Sequence, residues 1–302
     1  MLNAFLITAL CVIWGATWVV IKIGLSQAPP FYAAAFRFLL AVIVLGVMIR
    51  LCRRSLPRDW GILRWILLAG FFMYFGSYGA TYYSEQYIDA GLAAILFASF
   101  PFFVAIGAHF HIPGERLTLL KVMGMVLGFV GIVVIFRDGL TTVNARTWWA
   151  MGIMMLSPLC SAAASVLIKR HLTREDPMVV TFLQMLFGVL FLFPFAFLNE
   201  HFADFHWSGT SILAVSFLAV FGSVFTFVSY YHLLKTMEVT RLSLIAFVTP
   251  ITAAILGWLV LGEKVTWGTA AGAMLVFLGI GIVNIIAPRY ARAKASRNRV
   301  PD

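Results

Sequence analysis

Apolar runs of about twenty residues recur from one end of this chain to the other, and no polar stretch between them exceeds about a dozen residues. A helix needs roughly 20 apolar residues to cross about 30 Å of hydrocarbon. Ten runs of that kind are legible, at 3–25, 31–51, 62–84, 90–111, 118–136, 148–169, 178–198, 210–234, 240–261 and 267–287. The pattern predicts an all-α membrane protein of ten transmembrane helices. Composition agrees: 62% of the 302 residues are hydrophobic and 11% charged, against roughly half and a quarter in a soluble domain.

A net charge of +10 could suggest a nucleic-acid partner, but the basic residues fall in short loops between apolar runs. Place the N-terminus in the cytoplasm and the 22 Lys and Arg divide unevenly. Arg37 lies inside a run. Four (Lys22, Arg137, Arg146 and Lys264) fall on the outer side, and the remaining seventeen on the inner side. Cytoplasmic loops carry such an excess. The expectation is a multi-pass protein of the inner (plasma) membrane, both termini cytoplasmic, with the bilayer as partner and no nucleic acid. Cys11, Cys52 and Cys160 show no disulfide or metal spacing. The first 25 residues lack the basic region and cleavage site of a signal peptide and read as an uncut span. Nothing calls for a cofactor.

The halves repeat. "FASFPFFVAIGAHFHIPGERLTLLKVMGMVLGFVGIVVI" carries Pro101, Glu115, Gly124 and Gly131; "AFVTPITAAILGWLVLGEKVTWGTAAGAMLVFLGIGIV" carries Pro250, Glu263, Gly272 and Gly279 at nearly the same spacing. "VVIK" ending at Lys22 answers "VLIK" ending at Lys169. The units are 1–139 and 147–288, followed by a basic tail, 289–302. Five spans per unit is an odd number, so the second copy enters the membrane inverted. Inverted repeats with a site at their interface mark transporters.

Several helical faces are too polar for lipid. Residues four apart share a face, so Trp14, Trp18 and Lys22 form a stripe on the first helix, bordered by Cys11 and Gly15. The sixth offers Ser161, Ser165 and Lys169 at matching positions. The third carries Tyr74, Ser77, Tyr78, Thr81 and Tyr82; the eighth carries Ser223, Thr226, Phe227 and Tyr230. Trp and Tyr also form interfacial belts, and Ser and Thr also join helices. Four faces matched across a repeat are read here as the lining of a central cavity. Lys22, near a helix end, can also snorkel to the headgroups.

Arg37 sits six residues into the second run, about 9 Å along its axis, where charge is costly and turned inward. It would either meet an anionic group of a substrate or satisfy carbonyls between helices. Its repeat partner is Gln184. Pro101 and Pro250 each remove a helical hydrogen bond, freeing the carbonyls of Phe97 and Ala246, and are candidate hinges. Glu115 and Glu263 precede Thr118 and Thr266, which can cap the helices that follow. Gly124 and Gly128, and Gly268 and Gly272, have the small-xxx-small spacing of close helix contact. The loop "NEHFADFH" groups Glu200, His201, Asp204 and His206 and reads as solvated rather than as a metal site. No Asp or Glu lies at the centre of a run: Glu85 and Asp89 fall at the outer end of the third. An obvious proton-relay group of the buried kind is therefore missing from the sequence pattern.

"WGATWVVIKIGL", "PPFYAAAFRF", "SFPFF…GER" and "VTPITAAILGWLVLGEKVTWG" together resemble the EamA-type members of the drug/metabolite transporter superfamily, over nearly the whole chain. The resemblance implies ten helices in two inverted five-helix repeats and a cavity between them. It implies a bacterial inner-membrane carrier, not an enzyme, that exports amino acids, other metabolites or toxic compounds. On this chain the lining would fall around Trp14, Trp18, Tyr78, Tyr82, Thr226 and Tyr230, with Arg37 as the inward charge. The expected function is export of small metabolites by alternating access, as a monomer or homodimer. Export of drug-like aromatic or cationic compounds is the alternative, ahead of a channel or a membrane-embedded enzyme.

Overall fold

The structure is a computed structural model that describes residues 1–136, 145–261, 267–287 and 289. The loop with Arg137, the pair Glu263 and Lys264 with Thr266, and the basic tail beyond Arg289 lie outside the described residues. Among the described residues seven helices are long and apolar enough to cross a membrane: α1 (Leu2–Leu25), α2 (Pro30–Leu51), α3 (Trp60–Ser84), α4 (Ala90–His111), α6 (Ala145–His171), α7 (Pro177–Asn199) and α8 (Gly209–Thr236). Three shorter apolar helical stretches complete the order: α5 (Leu119–Phe136), α9 (Val239–Ser243 and Ile245–Leu261) and α10 (Trp267–Gly281, continued by Ile282–Ile286). No strand occurs among the described residues.

Local chemistry sets the ends. Pro30 and Pro177 open α2 and α7, where a missing N–H costs nothing. Asp59 and Asp176 accept from the N–H of Gly61 (2.8 Å) and Met178 (2.9 Å). Ser208 and Ser211 form a capping box at α8. Thr118 accepts from the Lys121 N–H at 3.4 Å, at the start of α5. Glu115, just before it, serves a different helix: it accepts from the N–H groups of Val239 (2.9 Å) and Thr240 (3.2 Å), opening α9. Glu200, in the loop read as solvated, serves α2 the same way through Phe31 (2.9 Å) and Tyr32 (3.0 Å).

Lipid tails are as apolar as leucine, so helix association in a membrane rests on close packing and polar contacts rather than on burial. The tightest seam is α5 against α10. A Cβ added to Gly124 would lie 2.7 Å from the Gly279 carbonyl oxygen, and one on Gly131 2.6 Å from that of Gly272. Because Gly124 meets Gly279 while Gly131 meets Gly272, the two helices run antiparallel. Elsewhere α2 packs on α7, α1 on α9 and α8, and α6 on α4 and α3.

Among the described residues three helices contain π turns: Phe71–Ser77 in α3, Val220–Phe225 in α8 and Ile282–Ile286 at the end of α10. Such turns recur at functional sites. Those in α3 and α8 fall at matching positions of the two halves; the first contributes Met73 and Ser77 to the cavity described next, and the second ends just before Phe227, which also lines it.

Candidate functional site

Six helices enclose a cavity of about 80 Å³. Its wall comprises Trp14, Thr17, Trp18 and Ile21 from α1; Met73, Ser77, Tyr78 and Thr81 from α3; Phe97 and Phe100 from α4; and Ser161 and Ser165 from α6. Phe227 and Tyr230 come from α8, and Leu242, Ser243, Ile245, Ala246 and Thr249 from α9. Aromatic rings and hydroxyls alternate around it, and no charged side chain is among them.

The rings pack edge-on and tilted. Trp14 lies 5.7 Å from Phe227 and 5.4 Å from Tyr230, and Trp18 lies 5.5 Å from Phe97. The hydroxyls tie α3 to α6: Ser77 to Ser161 at 2.7 Å and to Ser157 at 2.9 Å, and Thr81 to Ser157 at 2.8 Å. Tyr230 donates to Ser165 at 3.3 Å. The indole N–H of Trp14 is buried with no acceptor among the described residues. A buried donor left unpaired costs about 1–3 kcal/mol, so it is a place where an acceptor on a bound molecule is favoured.

Of the residues expected at the cavity, Trp14, Trp18, Tyr78 and Tyr230 line it. Tyr82, Thr226 and Arg37 do not. Thr226 is fully buried with an unpartnered hydroxyl. Tyr82 turns to Arg37, accepting from its Nη1 at 3.3 Å. Arg37 lies behind the wall, fully buried. Its Nε donates to Ser223 Oγ at 2.9 Å and its Nη2 to the Gly222 carbonyl at 2.8 Å, both in the π turn of α8. Its guanidinium stacks 4.7 Å over the ring of Tyr78, so it reaches the cavity only through that ring. Pro101 stands in the first turn after a break in α4 at Ala98–Ser99, and Pro250 inside the second part of α9. The Ala246 carbonyl, which Pro250 frees, accepts from the Thr249 hydroxyl at 3.3 Å.

Thr17, Met73, Phe100, Ser243 and Thr249 also line the cavity and lie outside the faces expected from the sequence. The serine and threonine of α9 fall six apart, off any single helical stripe. The break at Leu244 between the two parts of α9 brings both to the cavity. Met73 takes the place expected of Tyr74 because the π turn holds an extra residue and rotates the stripe.

A second, wider groove of about 1,010 Å³ lies where the α1–α2 loop, the end of α3 and the end of α7 meet. Its polar part carries Gln27, Gln86, Glu200, His201, Asp204 and His206.

Two stretches of the chain, residues 1–137 and 148–285, match the model of the EamA-like transporter family. The chain is 25% identical over 274 residues to "Uncharacterized transporter YoaV" of Bacillus subtilis, covering 91% of this chain and 94% of the relative. It is 28% identical over 263 residues to "Uncharacterized inner membrane transporter YedA" of Escherichia coli K12, covering 86% and 84%. A solved structure titled "Crystal structure of protein" superposes with a TM-score of 0.80 at 19% identity, covering 95% of this chain and 98% of that one. That likeness speaks to the fold alone.

Proposed function

Because the chain belongs to the EamA-like transporter family, a family of multi-pass membrane transporters, we propose that it exports small metabolites, amino acids and related compounds among them, from the cytoplasm by alternating access. The observation that carries this reading is the cavity: one space lined from both halves of the chain, by α1, α3 and α4 and by α6, α8 and α9. A volume of about 80 Å³ is well below the roughly 300–1,000 Å³ of a ligand pocket. The space must widen to admit a substrate, as a carrier's does and a permanently open channel's does not.

Ten spans in two inverted units, with both termini cytoplasmic, form the frame of this proposal. The antiparallel glycine seam of α5 and α10 and the matching π turns of α3 and α8 support the inversion. The basic residues of the loops support the orientation, which puts the wide groove on the outer face. Transport then consists of opening the cavity toward each side in turn, with the break beside Pro101 and the stretch of α9 from Leu244 to Pro250 as the bending points.

Trp14, Trp18, Tyr78 and Tyr230 hold the substrate's apolar or aromatic body, and the Trp14 N–H meets an acceptor on it. Arg37, Tyr82 and Thr226 act from behind, Arg37 by fixing Tyr78. The aromatic, charge-free wall also favours a second reading, export of drug-like aromatic compounds, with cations held over ring faces.

Flux in proteoliposomes over a panel of amino acids and aromatic cations tests this. Saturable flux of a panel member with countertransport supports a carrier, and which half of the panel moves decides between the readings. Linear, non-saturating flux would overturn both.

A further inference from the structure

The sequence places Glu85 at the outer end of the third run. It is fully buried, and neither carboxylate oxygen has a hydrogen-bond partner among the described residues. It lies one residue beyond Ser84, the last of the span. Its position in the wall matters more than its depth. Thr81 and Tyr78, one and two turns before it, line the central cavity. Tyr83, Gln86 and Tyr87, on either side of it, line the wide groove. The carboxyl therefore sits in the partition between the two spaces.

The partition is held by a second charge. Lys22 of α1, one turn beyond the cavity residue Trp18, donates from Nζ to the backbone carbonyls of Glu85 itself and of Ile88, the latter at 2.8 Å. Arg37 of α2 reaches the same helix through Tyr82. From α6, Arg146 stacks 4.5 Å over Tyr87. Asp89, four residues on at the start of α4, adds an acidic group beside the same turn. Burial without partners pushes the Glu85 carboxyl well above the usual carboxylate range, against the pull of Lys22 and Arg37.

We propose that Glu85 is a proton-binding site that couples proton entry from the groove to opening of the cavity at that end. The proposal rests on the exporter reading above. The ionised carboxylate attracts Lys22 and so helps seat its ammonium on the α3–α4 turn. When a proton from groove water binds, one O–H bond forms, the charge is removed and that attraction lapses. α3 and α4 are then free to part from α1. Release of the proton to the cavity side restores the seat. No electrons are exchanged, and one proton enters for each cycle that carries substrate out.

Two measurements on the full chain test it. In nanodiscs, infrared pH titration should show the carbonyl stretch of a protonated carboxyl persisting at neutral pH. That band should be absent in Glu85→Gln and present, though shifted, in Glu85→Asp, which shows that a variant can fold and titrate. Identical bands in wild type and Glu85→Gln overturn the proposal. In proteoliposomes with the amino-acid panel, a one-unit pH gradient is worth a factor of about ten for one proton per substrate. Glu85→Gln should keep exchange and lose that tenfold accumulation; a variant driven as well as wild type overturns the coupling. If wild type moves no panel member the exporter reading fails, and the infrared titration still decides whether Glu85 binds the proton.

Discussion

Lys22 and Lys169 make the same contact in the two halves of the chain. Each ammonium sits on two backbone carbonyls where another helix ends: Lys22 on Glu85 and Ile88 beyond α3, Lys169 on Leu234 and Met237 at the end of α8, both at 2.7 Å. The last carbonyls of a helix have no partner within it, and a cation there also complements the negative helix end. Lys22 thus serves a helix terminus rather than the lipid headgroups.

Lysine removal should therefore cost stability in both halves. Replacing either with Met keeps the apolar stem and leaves two carbonyls without their donor. Each of Lys22→Met and Lys169→Met should destabilise the protein by about 1–3 kcal/mol, read as a lower melting temperature in detergent. Unchanged melting of both would mean the carbonyls are satisfied without the lysines.

The glycine seam makes a steeper prediction. At Gly131 a new Cβ meets the Gly272 carbonyl oxygen at 2.6 Å. The obstacle is backbone, which cannot rotate away. Gly131→Ala should push α5 and α10 apart and cost about 1–3 kcal/mol, the range of an overpacked core. Gly152→Ala, where nothing lies within 4 Å, is the control and should melt like wild type. Equal melting of the two variants would refute the close seam.

Accessibility separates the wall from what lies behind it. In a background free of Cys11, Cys52 and Cys160, cysteines at Ser161 and Thr249, which line the cavity, should react with water-soluble thiol reagents as the carrier cycles. A cysteine at Thr226, fully buried outside the lining, should stay unreacted. Labelling of Thr226→Cys at the rate of the other two would place the cavity elsewhere.

Much of the fold is legible in the sequence because it is local. The run read as 31–51 is α2 at Pro30–Leu51, and that read as 178–198 is α7 at Pro177–Asn199. Apolar length and a proline at each start suffice for both. The match of Lys22 to Lys169 is likewise visible in four letters. The cavity is legible only in part, because stripes drawn at 3.6 residues per turn assume an unbroken helix. The π turns of α3 and α8 rotate each stripe partway along. Tyr74 thereby leaves the wall and approaches Tyr231 at 3.5 Å, and Thr226 turns inward among the helices. Glu85 was illegible for another reason. Its own neighbours in sequence are those of a solvated helix end, and its burial is supplied by the helices around it.

Arg37 shares its arrangement with its repeat partner. Gln184 accepts from the hydroxyl of Tyr231 at 2.6 Å, and Tyr231 occupies in α8 the place that Tyr82 occupies in α3. Arg37→Gln therefore introduces a pair that this fold already uses, Gln against Tyr, and the variant should fold and insert. What it loses is the grip on α8, the bonds to Ser223 and the Gly222 carbonyl, and the guanidinium over Tyr78. A hydrogen bond from a charged donor contributes about 1.5–3 kcal/mol, and removing a charge from so deep a place relieves part of its desolvation cost. The net loss should be about 2 kcal/mol, seen as a lower melting temperature. Arg37→Lys keeps the charge without the fork, which needs all three partners at once, and should lose at least as much. Because Arg37 stands behind the wall, the apparent affinity of whichever panel compound is transported should change little in the folded fraction of either variant. A normal melting curve with a much weaker affinity for carboxylate-bearing substrates, and only those, would mean that the guanidinium reaches the substrate after all.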